Sequence, residues 1–286
     1  MAAGPVWDLG CCKRYKVNES KSVAAILRPR ELGGPFEMSI RFEHGRIRQM
    51  MVSETHPRLP ECGPPMKTIV FSGPSIAEEE VRRLAAATHA PPIKRGDLAV
   101  VDDYEVIIIL DGEFGQNMSV SPKEILGILE RGKIVIGASS MGALRASELD
   151  RSGMIGVGWV YDYFRRSAVR RDADVALVYS PLDFKPMTVP MVDLEYWMER
   201  TSAAGMIADK ERALLLKAAR NIFFAERTVD RLMGSLRHAV GNQTLEPLLA
   251  FSGGTIPSVK SIDAAEAVRL GASLAEHRPP PHAEAG

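Results

Sequence analysis

Three short runs constrain this chain more than any other feature: Thr68-Ile69-Val70-Phe71, Val106-Ile107-Ile108-Ile109-Leu110 and Ile134-Val135-Ile136. Each is apolar with almost no alternation and rich in β-branched residues. A strand with one wet face reads apolar–polar–apolar, whereas a strand covered on both faces is apolar throughout, which is the habit of parallel sheets. Helical signals separate the runs: IAEEEVRRLAAATH (76–89), SPKEILGILERG (121–132) and MGALRASELDRSG (141–153). Repeated strand–helix units predict a three-layer α/β domain on a mostly parallel sheet. We place it at 66–190, with one or two strands in LAVVDDYEVIIIL (98–110).

The flanks read differently. Residues 1–65 mix Pro, Gly and charge without sustained periodicity, apart from one candidate hairpin, MSIRFEHGRIRQMMV, turning near His44-Gly45. They are expected to be an N-terminal extension, disordered or appended, with Met66 as the natural start, or else a small accessory domain. Residues 191–275 have apolar residues at helical spacing, and Leu214, Leu215, Ala218, Ile222 and Phe223 fit one stripe expected to pack in the core. The tail 276–286, rich in proline, is expected to be disordered.

Composition excludes several classes. Lys plus Arg equals Asp plus Glu, 36 each, so no global cationic excess exists to bind nucleic acid. No apolar run reaches the length of a membrane span, and no signal-peptide pattern opens the chain, so a cytoplasmic protein is expected. The three cysteines, Cys11, Cys12 and Cys62, precede the α/β region, which therefore lacks a thiolate nucleophile. The histidines at 44, 56, 89, 238, 277 and 282 have no ligand spacing. Neither a metal site nor a cofactor is expected.

In a parallel α/β sheet, ligands bind beyond the carboxyl ends of the strands. Three loops leave strands there: Ser72 to Ser75, the segment that opens with Asp111-Gly112, and Gly137 to Ser140. Ser121-Pro122-Lys123-Glu124 reads as a capping box with proline at the first helical position. It puts Lys123 at the positive end of a helix, where the neutral amine is favoured. Lys123 is either a base or a solvated surface lysine. Ala138-Ser139-Ser140-Met141-Gly142 resembles a nucleophile elbow with alanine at the first glycine position. On that reading Ser140 is the nucleophile, and the Met141 and Gly142 amides face an oxyanion. On the other reading both serines only cap the helix. Ser75, Asp111, Gly112, Ser139 and Arg145 would line the site, although Arg145 also suits a surface pair with Glu148.

Together IVFSGPSI, PPIKRGDL, the DG after an apolar strand, KEIL, GASSMGALRASEL and GMIGVGWVYDYF, in order across roughly 70–176, resemble the TfuA-like family. The resemblance implies an accessory role in peptide backbone thioamidation beside a YcaO-family protein. It implies hydrolysis of a thiocarboxylated ThiS-like sulfur carrier to release sulfide, and a Ser–Lys pair that maps onto Ser140, with Ser139 as the alternative, and onto Lys123 of the KEIL block. The family usually has histidine before KEI, where this chain has Pro122. Two rival readings stand beside it. One is a non-catalytic adaptor of the YcaO protein. The other is an anion or nucleotide binder at the helix start, weakened by the lack of a P-loop pattern.

Overall fold

The computed structural model describes residues 65–276, apart from 116, 168 and 170, together with the backbone of four strands between residues 16 and 53. The three cysteines, the His44-Gly45 turn and the tail from 277 lie outside the described residues. Two compact units divide the chain, 1–62 and 63–286.

In the first unit, β1 (Lys16–Val17), β2 (Ser22–Leu27), β3 (Phe36–Glu43) and β4 (Arg46–Ser53) form an antiparallel sheet in chain order. Glu43 pairs with Arg46, so β3 and β4 flank the two residues proposed as the hairpin turn, and the register shifts between Arg41 and Phe42.

The second unit is built on five parallel strands. In chain order they and their helices are β5 (Thr68–Phe71), α1 (Glu78–Leu84), β6 (Thr88–Ala90), β7 (Val106–Ile109), α2 (Pro122–Glu130), β8 (Ile134–Ala138), α3 (Met141–Leu149), β9 (Ile155–Val157) and α4 (Gly158–Arg166). The strand order is β6-β5-β7-β8-β9, all parallel. Two boundaries differ from the sequence reading. The helix of 76–89 stops at Leu84, and its last residues form β6, which pairs with β5. LAVV is a 3₁₀ turn (Asp97–Val100), so 98–110 holds one strand. The β6 segment is short, and its pairing with β5 outweighs helix propensity there.

The apolar runs are explained by what covers each face. Ile69, Phe71, Ile107, Ile109 and Val135 pack with residues of α2 and α3. Val70, Ile108, Leu110, Ile136 and Ala138 pack with Val81 of α1 and with the last helix of the chain. Successive residues point to opposite faces, and both faces are dry.

After the short α5 (Asp172–Val175) come α6 (Met191–Ala203), α7 (Asp209–Arg220), α8 (Val229–Val240), α9 (Asn242–Phe251) and α10 (Val259–Glu276). Helices α6 to α9 share a separate core around Trp197, Leu215, Leu232 and Leu245. In the proposed stripe, Leu215 and Ile222 are buried, but Leu214 and Phe223 are 41% and 61% exposed. The helix α7 ends at Arg220, so the helical spacing that aligned Phe223 with the stripe stops short of it. Helix α10 returns to the sheet. Gly271 faces Ile108, where an added Cβ would lie 2.4 Å from its Cδ1. No helix among the described residues is long and apolar enough to cross a membrane.

Candidate functional site

The strand order reverses between β5 and β7: from β5 the chain moves to β6 on one side, then to β7 on the other. Such a switch point opens a crevice beyond the carboxyl ends of the two strands. The loop after β5 and Asp111 after β7 meet there. Asp111 Oδ2 accepts the amides of Gly73 and Ser75 at 2.9 Å each, and its Oδ1 accepts the Ser75 hydroxyl at 2.6 Å. The Ser139 hydroxyl in turn donates to Ser75 Oγ at 2.6 Å. Ser139, Ser75 and Asp111 are all buried, and so form one hydrogen-bonded chain across three loops.

Between β8 and α3 there are only two residues, Ser139 and Ser140. Ser139 has φ +68°, and the Ser140 amide donates back to the Ala138 carbonyl at 2.7 Å. A three-residue turn with positive φ at its centre is rare and strained, and such strain gathers at functional sites. Glycines allow the tight turn. A Cβ on Gly142 would lie 1.7 Å from the Ile109 carbonyl oxygen, and one on Gly137 would lie 2.2 Å from the Gly142 oxygen. Gly142 also donates its amide to the Leu110 carbonyl at 3.2 Å. Its role in the structure is therefore close packing of α3 on the sheet. Met141 is buried in the core against Gly112.

Ser140 occupies the cap position of α3, yet its side chain makes no capping bond. It lines a cavity of about 150 Å³ together with Asp111, Gly112 and Lys260. Pro74, Pro92, Phe114, Val175, Tyr179 and Phe224 give the cavity a largely apolar and aromatic wall. Tyr179 donates its hydroxyl to Glu113 Oε1 at 2.6 Å, and both also line the cavity. Burial and then that carboxylate push the Tyr179 phenol above its usual range.

Lys260 is the residue that sequence reasoning missed. It lies in the first turn of α10, 2% exposed, with Nζ 3.9 Å from Asp111 Oδ1 and donating to the Val175 carbonyl at 3.1 Å. Burial drives its pKa below the usual lysine value, against the opposing pull of Asp111 and Asp193. The available signal was a lysine at helical spacing with Ala264, Ala267 and Gly271 in VKSIDAAEAVRLGASLA.

The remaining expected residues lie apart from this cavity. Lys123 is exposed on α2, whose capping box forms as read: Glu124 accepts the Ser121 amide at 2.8 Å and donates its own amide to Ser121 Oγ at 3.3 Å. Arg145 binds the Val120 carbonyl at 2.9 Å and pairs with Glu148 at 2.9 Å. It lines a second cavity beside Arg95, Ser121 and Asp172.

The family model described as TfuA-like protein matches residues 111–228, from the aspartate of the cavity to the turn before α8. Over this region the chain is similar to the TfuA-like family. TfuA-like proteins are associated with YcaO proteins and peptide thioamidation. The matched region includes Asp111, Ser139 and Ser140, whereas Ser75 and Lys260 lie outside it. No curated protein matches the chain.

Proposed function

We propose that this TfuA-like chain hydrolyses the C-terminal thiocarboxylate of a ThiS-like sulfur carrier and so supplies sulfide to a YcaO-family partner. Ser140 is the nucleophile and Lys260 its base. The observation that carries the reading is that a cap-position serine with no capping bond and a buried lysine line one cavity at the switch point of the sheet.

In the first step the Ser140 hydroxyl adds to the carbonyl carbon, and Lys260 takes its proton. The C–S bond then breaks, and hydrosulfide leaves with that proton. In the second step Lys260 deprotonates water, which attacks the ester, freeing the carrier carboxylate and restoring Ser140. No thiol or external reductant is needed. A buried amine with a depressed pKa is neutral closer to physiological pH, as a general base must be. Asp111 holds the lysine, and its bonds to Gly73 and Ser75 keep the loop after β5 in place. Lys123, the position implied by family resemblance, is the alternative base. Sulfide release by Lys260→Arg and Lys123→Ala chains decides between them.

A second reading, that the chain is an adaptor of the YcaO protein, is favoured by apolar surface at the cavity mouth. Phe224 lines the cavity, and the Phe223 ring packs 4.6 Å from it while 61% exposed. Thioamidation supplied with free sulfide separates the two readings: an adaptor is still required, and a sulfide-releasing hydrolase is not.

A further inference from the structure

We propose that Asp193 is the positioning residue of the site: it pins the first turn of α10 so that Lys260 enters the cavity, and it supplies the second negative charge that governs the lysine's proton. The role rests on Lys260 serving as the base for Ser140. Asp193 lies on α6, is 5% exposed and does not line the cavity, so it acts only through the lysine.

The geometry is that of a cap delivered from another helix. Asp193 Oδ1 accepts the amides of Val259 and Lys260 at 2.9 and 3.4 Å. The Ser258 side chain also favours the charged form of this carboxylate. The first amides of a helix have no partner within it, and a carboxylate there is favoured by the helix dipole. Asp193 thereby sets where α10 begins, and the start of α10 sets where Lys260 lies. Lys260 Nζ is then held by the Val175 carbonyl at the end of α5 and by Asp111 beyond β7.

The charged groups facing the lysine are few. Asp111 comes from the end of β7, and Asp193 from α6. Glu113 lines the cavity but is bonded to Tyr179. Asp174 of α5 is bonded to Arg220 and Tyr163. On α10 itself, Asp263 accepts the amides of Trp159 and Val160 at the start of α4. Two carboxylates thus act on one buried cation, Asp111 as its ion-pair partner and Asp193 through its charge. Burial lifts the Asp193 carboxyl to about 7, opposed by Lys260, so the two groups titrate as a pair.

The test is direct NMR titration of the Lys260 ζ-nitrogen in the full-length chain and in Asp193→Asn, with the signal assigned from Lys260→Met. Asparagine keeps an oxygen for the α10 amides and removes the charge. The midpoint in Asp193→Asn is expected to fall by about one pH unit or more, since loss of a nearby opposite charge favours the neutral amine. The acid limb of the sulfide-release profile should move the same way. An unchanged midpoint in folded Asp193→Asn overturns the proposal. If that variant does not fold, the reciprocal measurement serves. Lys260→Met should raise the Asp193 carboxyl midpoint, and no change there overturns the proposal equally. Neither titration depends on turnover. A wild-type chain that titrates in this way but releases no sulfide therefore refutes the hydrolase reading alone.

Discussion

Lys260 Nζ stands 3.9 Å from Asp111 Oδ1, with both side chains 3% exposed. The aspartate follows β7, and the lysine lies in the first turn of the last described helix. A buried amine that lines one cavity with a serine making no capping bond is the arrangement on which the functional reading rests.

The first prediction separates the two lysines. Lys260→Arg keeps a cation between Asp111 and Asp193, but guanidinium cannot accept a proton. Sulfide release should fall by at least about 100-fold while the chain stays folded, because general bases contribute about 10²–10⁴-fold. Lys123→Ala on exposed α2 should release sulfide at the wild-type rate. The reverse pattern would return the base to Lys123.

Two glycine substitutions should act oppositely. Gly142→Ala puts a Cβ 1.7 Å from the Ile109 carbonyl oxygen, so α3 must move. Urea denaturation should show a loss of about 3 kcal/mol or more, at or beyond the usual range for overpacking. Gly127→Ala, on α2 with nothing within 4 Å of the new atom, should gain up to about 1 kcal/mol.

The serine chain behind the cavity is expected to behave as a unit. Ser75→Ala removes the hydroxyl that donates to Asp111 and accepts from Ser139. The buried Ser139 hydroxyl is left without that acceptor, at a cost of about 1–3 kcal/mol. Adding Ser139→Ala should cost clearly less in the Ser75→Ala background than alone. Additive losses would show that the two hydroxyls are not coupled.

Stability should depend on pH through Asp263. Burial raises its folded carboxyl to about 6, although it accepts the Trp159 and Val160 amides. The folded state therefore binds this proton more tightly than the unfolded chain, where the pKa is about 3.9. Its contribution is full below about pH 4 and is lost as pH rises through about 6, by up to about 3 kcal/mol. Asp263→Asn should flatten that part of the profile. Asp193, raised to about 7, acts in the same direction and leaves a residual slope. An unaltered profile in Asp263→Asn would show that Asp263 ionises normally.

Much of the α/β core was legible because its signals are local. Runs such as Val106 to Leu110 report two covered faces directly, and Ser121-Pro122-Lys123-Glu124 carries its own hydrogen bonds. Asp111, Gly112 and Ser140 could be placed together from sequence because parallel topology gathers strand ends on one rim, and all three line the cavity. Lys260 was not, because its place depends on α10 folding back onto the sheet and on a cap from Asp193, contacts far apart in sequence. Arg145 illustrates the converse: it sits on the helix that follows the serines, yet its side chain turns to Val120 and Glu148. Neighbours in sequence on a helix point in different directions, so proximity to a motif does not place a side chain in its cavity.

The central claim is that Ser140 attacks a thiocarboxylate. The most direct measurement is sulfide release from a purified thiocarboxylated ThiS-like carrier, with the carrier's intact mass followed in parallel, for the wild-type chain and for Ser140→Ala. The account predicts stoichiometric sulfide and conversion to the carboxylate by wild type, and none above background by a folded Ser140→Ala chain. Release by that variant at the wild-type rate would contradict it.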